Sequence, residues 1–171
     1  TNTNKLIRSY EGCVGLKTGS TSLAKFCLSA VAKRDGITLI SVVMAAPDYK
    51  ARLKDASAML NYGFSKCSLY TDENPPKLSS VAIKKGVEKE AEVTYKGGFQ
   101  YLRMDGKTIG EIKKELNLPK EVPAPVKKGE KAGELYYYMD GEKIGTVDVL
   151  YAESVRKATY ADCLKTVLGL L

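Results

Sequence analysis

The stretch "CVGLKTGSTSLAKFCLSAVAKRDGITLISVVMAA", residues 13–46, contains three strand-like segments in succession. Residues 13–18 form the first segment, residues 26–33 alternate in polarity, and residues 37–43 are a β-branched run. The Asp-Gly pair at residues 35–36 is a hairpin turn signal. The stretch therefore predicts a three-stranded antiparallel meander. Because the last run is apolar on both faces, we expect that strand to be central or covered by helices.

A helix is predicted directly after this sheet. Asp48 follows Pro47 and is a favourable N-cap residue, and apolar residues recur at helical spacing until Gly63, which is predicted to end the helix. One helix on a three-stranded sheet is only a partial layer. We therefore expect uncovered apolar surface, which favours self-association or strand exchange.

The character of the sequence changes after residue 64. Residues 70–80, "YTDENPPKLSS", are polar and contain two prolines, which indicates a boundary. Short alternating runs follow, including residues 87–95, and Met-Asp-Gly at residues 104–106 and 139–141 predicts two hairpins. Short strands at this spacing predict a small all-β sandwich.

The last segment, "YADCLKTVLGLL", is predicted to be a helix. Ala161, Leu164, Val167, Leu168 and Leu171 lie on one helical face. The helix either docks on a domain or lies as an amphipathic segment at a membrane surface. The sequence contains no apolar run long enough to span a bilayer.

Composition narrows the possible chemistry. The chain has no histidine, which excludes Ser-His-Asp and Cys-His catalytic pairs and histidine-ligated metal sites. None of the four cysteines forms a C-x-x-C pair, which argues against a zinc knuckle. Cys13 and Cys27 have apolar neighbours, so we expect free thiols that pack as small hydrophobes rather than a disulfide framework. The formal charge of +7, carried mostly by lysine, suits a polyanionic neighbour such as a lipid surface or a cell-wall polymer. Sparse arginine argues against specific nucleic-acid binding.

Lys17, Thr18 and Gly19 are candidate binding residues near the end of the first strand. Alternate residues of a strand face the same way, so Lys17 and Gly19 should share one face and Thr18 should lie on the other. Lysine offers a fixed charge, the threonine hydroxyl can bind a carboxylate, and glycine lets a substrate backbone approach closely. The combination suits a peptide carboxylate held beside a strand edge, although a solvated strand face would show the same pattern.

Residues 2–65 resemble the late part of the catalytic domain of serine D-alanyl-D-alanine carboxypeptidases, the low-molecular-mass penicillin-binding proteins of peptidase family S11. The resemblance rests on "NTNKLI", the Lys-Thr-Gly strand, the Asp-Gly hairpin with its apolar strand, and "LNYGF" near the helix end, all in order. Residues 69–155 resemble the small C-terminal β-sandwich of this family, through "APVKKGEKAGELYYYMDGEKIG".

The resemblance implies an α+β fragment, made of the three-stranded antiparallel sheet and helix of a penicillin-binding transpeptidase-like domain, followed by a small all-β sandwich and a C-terminal helix. The implied domains are residues 1–68 for the catalytic part, 69–156 for the sandwich, and 157–171 for the start of an amphipathic membrane-anchor helix.

Site roles also follow from the resemblance. Lys17 would be catalytic, supporting the proton relay and binding the charge of the substrate, and Thr18 would bind the terminal carboxylate. Gly19 and Ser20 complete the substrate-binding strand, and Arg52 takes the place of a family arginine near the pocket. The implied activity removes the terminal D-alanine of peptidoglycan stem peptides through an acyl-enzyme, with no metal or other cofactor.

The implied partners are a peptidoglycan stem peptide, β-lactams for the full-length enzyme, a membrane surface through the C-terminal helix, and a catalytic segment preceding Thr1. The implied location is the extracytoplasmic face of the bacterial cell membrane, in the cell envelope. We expect no nucleic-acid partner.

The sequence departs from the family pattern at the nucleophile. In the family, Ser-x-x-Lys lies on a helix and is accompanied by Ser-x-Asn. Here Ser22-x-x-Lys25 lies in a hairpin, and Ser154-x-x-Lys157 could open the terminal helix but is a whole domain away. The sequence contains neither Ser-x-Asn nor Tyr-x-Asn, and Lys25 stands where the family often has glycine.

We therefore expect the chain to supply a substrate-binding strand without the nucleophile, and to be inactive alone. The alternative is a non-catalytic module that binds wall polymer, a membrane surface or a partner protein, in which Lys17 lines no pocket. A spacer role, in which sandwich lysines face anionic lipid, is a third hypothesis for the second domain alone.

Overall fold

A computed structural model of the protein describes residues 3–169. The chain divides into two compact units. Unit 1 takes the residues up to Tyr70 together with Leu102–Ile109, and unit 2 takes Thr71–Tyr101 together with the residues from Gly110 onward. The predicted fold class is confirmed: an α+β part is followed by a β-sandwich and a short helix.

Unit 1 contains one antiparallel sheet with strand order β1-β2-β3. Asp35 and Gly36 both have positive φ, 48° and 77°, as a type I′ turn requires, so the predicted hairpin between β2 and β3 is confirmed. The elements of unit 1 in chain order are α1 (Leu6–Ser9), β1 (Cys13–Thr21), β2 (Lys25–Arg34), β3 (Ile37–Ala46) and α2 (Tyr49–Lys66).

Helix α2 begins where the sequence predicts and ends later. The Asp48 carboxylate accepts hydrogen bonds from the backbone N–H groups of Lys50 and Ala51, which confirms it as the N-cap. Gly63 does not end the helix, because α2 continues to Lys66. A Cβ at Gly63 would lie 2.7 Å from Leu39 Cδ1, so this glycine serves close packing of helix and sheet.

The predicted placement of β3 holds only in part, because α2 packs against one of its faces but the strand is not central. Within the described residues β3 is an edge strand of its sheet, and only one of its faces packs into the core. Ile40, Val42 and Met44 are 65%, 56% and 76% exposed on the other face. The core of unit 1 joins Leu6 of α1 and Leu60 of α2 to a single sheet face, so the opposite face stays open. The expected uncovered apolar surface is therefore present.

Unit 2 contains the predicted β-sandwich. A three-stranded sheet has the order β10-β5-β6, and a four-stranded sheet has the order β7-β12-β11-β9. One buried cluster joins the two sheets, with Val81 and Ile83 from the first and Val149 and Tyr151 from the second. The remaining strands are β4 (Ser68–Thr71), β5 (Val81–Lys84), β6 (Glu90–Ala91), β7 (Val93–Tyr95), β8 (Gln100–Arg103), β9 (Ile112–Asn117), β10 (Glu121–Pro123), β11 (Lys131–Met139) and β12 (Glu142–Tyr151).

Only one of the two predicted Met-Asp-Gly hairpins forms. Asp140 and Gly141 have φ of 54° and 84° and join β11 to β12 as a type I′ turn. At Asp105 and Gly106 only the glycine has positive φ, and the flanking strands pair elsewhere, β8 with β4 and β9 with β11. The Arg103 guanidinium binds the Asp105 carboxylate through Nε, at 2.8 Å, and Nη2, which stabilises a loop instead of a hairpin.

The alternating run at residues 87–95 is divided between the two sheets. Glu90–Ala91 pairs with β5, whereas Val93–Tyr95 pairs with β12. At the break, the backbone N–H of Glu92 donates to the carboxylate of Glu153. A local pattern of alternation cannot distinguish one long strand from two short strands that change sheets.

A buried polar cluster lies in unit 2 around Asp72, whose side chain is 2% exposed. Its carboxylate accepts hydrogen bonds from Lys114 Nζ at 2.6 Å and from the Tyr137 hydroxyl at 2.8 Å. Burial alone would raise the pKa of Asp72, but the hydrogen bonds from Lys114, Tyr137 and the Asn74 backbone outweigh burial and lower the pKa.

Helix α3 (Tyr160–Val167) follows the sandwich and begins at a capping box. The Asp162 carboxylate accepts from the Thr159 backbone N–H, and the Asp162 N–H donates to the Thr159 hydroxyl. The structure places no described side chain of residues 160–169 in a core, so it does not support a docked helix. Leu171, assigned to the apolar face, lies outside the described residues. No helix in the described part of the chain is long and apolar enough to cross a membrane.

Candidate active site

The candidate residues Lys17, Thr18, Gly19 and Ser20 lie along β1, which is an edge strand of its sheet among the described residues. Thr18 is opposite the buried Leu28 of β2, so its side chain is on the face that packs against α2. The neighbouring Lys17 is therefore on the other, open face, as alternation predicts.

Lys17 shares a cross-strand row with Ser29 and the exposed Val42. Its side chain is exposed, and its ammonium donates a 2.9 Å hydrogen bond to the carbonyl oxygen of Thr18. The lysine therefore stands on an uncovered sheet face beside apolar residues. Among the described residues of unit 1, no second wall faces Lys17 across a closed cleft.

Gly19 has free space where a side chain would project. A Cβ built at this position meets no heavy atom within 4 Å, and Gly19 is not among the residues with positive φ. Neither backbone conformation nor packing within the described residues requires glycine here. The position is therefore available for the close approach of another molecule.

Arg52 connects α2 to the ends of β1 and β2. Its Nη1 donates to the carbonyl oxygens of Gly19, at 3.3 Å, and Cys27, at 3.2 Å, and the guanidinium lies 5.6 Å from the centre of the Phe26 ring. Its Nε atom is buried and has no hydrogen-bond partner among the described residues. Arg52 thus fixes the end of the Lys-Thr-Gly strand and keeps one donor unused.

A concavity of about 180 Å³ opens beside Arg52. Thr3, Lys5, Tyr49 and Leu53 complete its lining. The hydroxyls of Thr3 and Thr18 are 2.7 Å apart, so the concavity adjoins the Lys-Thr-Gly strand. Thr3 and Lys5 are not among the site residues predicted from the sequence, although both belong to the "NTNKLI" motif that carries the family resemblance.

Neither Ser-x-x-Lys match has the geometry of a helical nucleophile pair. Ser22 lies in the turn between β1 and β2, and Lys25 begins β2 with φ of 51°, a conformation that explains why glycine suits this position. Ser154 does not open α3, which begins six residues later. Its hydroxyl accepts from the Lys128 backbone, and Lys157 forms an isolated bridge with Gly86.

The four cysteines are all free thiols, as expected, with Cys13 buried and Cys163 exposed.

A larger groove of about 640 Å³ lies in unit 2, lined by Glu111, Lys113 and Tyr138 among others. None of the candidate site residues lines this groove. The larger groove is therefore separate from the Lys-Thr-Gly strand.

Comparisons with known proteins match both parts of the chain. The family model described as "Penicillin-binding protein 5, C-terminal domain" matches residues 64–157, and the model described as "D-alanyl-D-alanine carboxypeptidase" matches residues 1–48. This chain belongs to the penicillin-binding protein 5 family of D-alanyl-D-alanine carboxypeptidases. The family resemblance predicted from the sequence is confirmed.

Relatives within this carboxypeptidase family are similar over most of the chain. The D-alanyl-D-alanine carboxypeptidase DacF of Bacillus subtilis is 34% identical over 169 residues, which is 98% of this chain and 43% of DacF. A Streptomyces D-alanyl-D-alanine carboxypeptidase is 48% identical over 64 residues, which is 37% of this chain and 22% of that protein. The chain thus spans less than half the length of these relatives.

The fold is also similar to solved structures of the family. Penicillin binding protein 5 from Haemophilus influenzae matches with a TM-score of 0.64 and 27% identity, covering 90% of this chain and 45% of that one. A peptidoglycan synthesis regulatory factor from Streptococcus pneumoniae matches with a TM-score of 0.55 and 20% identity, covering 91% and 47%, and shows the fold alone.

Proposed function

We propose that this chain forms the substrate-binding wall of a serine D-alanyl-D-alanine carboxypeptidase that trims peptidoglycan stem peptides through an acyl-enzyme. The observation that carries the proposal is the position of Lys17, which stands on an uncovered apolar sheet face beside Val42. A lysine at such a margin is suited to an active site that is completed by another polypeptide segment covering the face.

Each candidate residue has a role suited to its position. The Lys17 ammonium donates hydrogen bonds on the open face, where it would assist proton transfer at the attacking serine. Thr18, Arg52 and the concavity beside them would hold the terminal carboxylate of the peptide. Gly19 and Ser20 would run alongside the peptide, and Gly19 leaves room for its backbone.

The attacking serine would be carried by a segment other than this chain. That segment would cover Ile40, Val42 and Met44, which are apolar and exposed. Without it, the same face and the open edge of β3 would favour association between copies of this chain. Neither Ser22 nor Ser154 would act as the nucleophile, because neither is on a helix with its lysine.

Labelling with fluorescent penicillin tests the proposal. The chain alone is expected to give no covalent adduct. A fusion that places the part of DacF not matched by this chain before Thr1 is expected to become labelled, and Lys17→Ala should abolish that labelling. Adduct formation by the isolated chain would overturn the missing-nucleophile proposal. Full labelling of the Lys17→Ala fusion would favour the alternative, a non-catalytic binding module.

We further propose that α3 rests on the extracytoplasmic surface of the cell membrane. Tyr160, Leu164, Val167 and Leu168 repeat at the spacing of one helical face and are all exposed, Tyr160 and Val167 by more than 80%. Vesicle flotation of the chain should be lost in the variant Leu164→Asp, whereas Lys165→Gln should float as the parent does on neutral lipid. Flotation of Leu164→Asp would contradict this attachment.

A further inference from the structure

The excess positive charge of the chain lies entirely in unit 1. Unit 1 contains twelve Lys or Arg residues against five Asp or Glu residues, which gives +7. Unit 2 contains fifteen of each, which gives zero. Any long-range attraction of this protein for an anionic partner therefore comes from the unit that carries the Lys-Thr-Gly strand, and the spacer hypothesis of a lysine-coated sandwich loses its electrostatic support.

The extent of ion pairing also differs between the two units. In the described part of unit 2, some lysines pair with carboxylates, for example Lys84 with Glu121 and Lys131 with both Glu134 and Asp148, whereas others such as Lys89 are exposed and form no ion pair with a described residue. In the described part of unit 1, the lysines form no such ion pair. The positive charge of unit 1 is therefore left available to solvent and to external ligands.

A group of these lysines surrounds the beginning of α2. Lys50 and Lys54 are one turn apart on the helix, and the Lys5 ammonium lies 5.3 Å from the centre of the Tyr49 ring at the first helical position. We call Lys5, Lys50 and Lys54 the α2 patch. All three side chains are exposed, and none forms an ion pair with a described residue.

The α2 patch acts against the stability of its own helix. The amino-terminal end of a helix carries partial positive charge and favours acidic residues; the N-cap Asp48 supplies one carboxylate, but the first turn of α2 contains none. Lys50 and Lys54 also repel each other as a like-charged pair. Lysines in positions that are unfavourable for folding, and not neutralised by the protein, are readily explained by binding of an external anion.

We propose that the α2 patch binds a linear polyanion that carries repeating carboxylate or phosphate groups. A flexible polymer can place several charges along the patch at once, and the adjoining concavity with Arg52 offers a further cationic contact. A bilayer is a poorer fit, because the exposed apolar face of α3 belongs to the neutral unit. The interaction requires no catalytic chemistry, although Lys5 also lines the concavity assigned above to the peptide carboxylate. Lys50 and Lys54 do not line that concavity, so their part in polyanion binding can be tested separately from the carboxypeptidase proposal.

Binding of two polymers to the full chain tests this inference. Poly-L-glutamate represents the carboxylate source and long-chain inorganic polyphosphate represents the phosphate source. At low salt the chain should bind at least one of them, and affinity should fall steeply as salt rises. The triple variant Lys5→Gln, Lys50→Gln, Lys54→Gln should bind roughly a hundredfold more weakly, about fivefold for each lysine.

The matched control is Lys89→Gln, Lys120→Gln, Lys128→Gln, which removes the same total charge from unit 2. This control is expected to bind within about threefold of the parent. Equal weakening of both triple variants would overturn the proposal, since net charge and not the patch would then decide affinity. So would failure to bind either polymer at low salt, or a loss of binding to anionic vesicles in the α2-patch variant that exceeds its loss of binding to both polymers. Circular dichroism of every variant verifies that the fold is retained.

Discussion

Replacing Gly19 with alanine should affect protein stability and substrate binding differently. The new Cβ meets no heavy atom within 4 Å, and Gly19 is not a positive-φ position. Because alanine also restricts the unfolded chain, the free energy of unfolding should stay the same or rise by about 0.5–1 kcal/mol. If a peptide or penicillin backbone occupies that space, the methyl group should instead cost the bound complex about 1–3 kcal/mol.

This cost corresponds to a loss of roughly 5- to 150-fold in the rate of acylation. The assay is the second-order rate of fluorescent-penicillin labelling of the DacF fusion, measured with the thermal midpoint of the same samples. Gly98→Ala is the matched control, because its Cβ would also meet open space and its φ is not positive. Labelling of Gly19→Ala at the parental rate, with unchanged stability, would refute the idea that substrate passes over Gly19.

Three further predictions concern stability and the α2 patch. Gly145→Ala should destabilise the sandwich by about 1–3 kcal/mol in urea unfolding, since its Cβ would lie 2.3 Å from Phe99 Cε2. Adding Phe99→Leu should recover part of that lost stability. Unchanged stability of Gly145→Ala would contradict the close packing of Gly145 against Phe99. Asp72→Asn should cost roughly 2–4 kcal/mol at pH 7 by removing the buried carboxylate that pairs with Lys114. The pKa of Asp72 is lowered in the folded state, so the carboxylate stabilises the fold fully above its unfolded pKa of about 4, and this stabilisation disappears as pH falls through the folded pKa. The difference in unfolding free energy between parent and variant, measured by urea unfolding, should therefore shrink at pH 2. A difference that stays constant with pH would contradict this. Lys50→Glu should raise the thermal midpoint slightly, by roughly 0.5 kcal/mol of stability, while weakening polyanion binding, and a fall in both would refute the proposed conflict between folding and binding.

Several features of the fold could be predicted because their causes are local. Asp48 before a helical pattern satisfies the first free N–H groups of α2 whatever lies further away. The Asp-Gly pairs at residues 35–36 and 140–141 adopt the positive φ angles that a tight hairpin requires. The same dipeptide at residues 105–106 failed as a predictor, because the strands beside it pair with other partners.

The candidate site was predictable only in part. The order of motifs placed Lys17, Thr18 and Gly19 on a strand and assigned the family, and the alternation of that strand followed from its periodicity. The approach of Thr3 to Thr18, and the two carbonyl contacts of Arg52, join residues separated in sequence. Contacts of that kind depend on how the chain returns on itself, and no local pattern carries them.

The sequence by itself determined the first sheet with its helix, the presence of a β-sandwich after them, and the family, since caps, turns and hydrophobic periods act over a few residues. Tertiary structure alone decided that Gly63 lies inside α2 against Leu39, and that Ile40 and Val42 face outward. These outcomes depend on which surfaces meet when the chain folds, and burial of apolar area and pairing of charges are decided only at that stage.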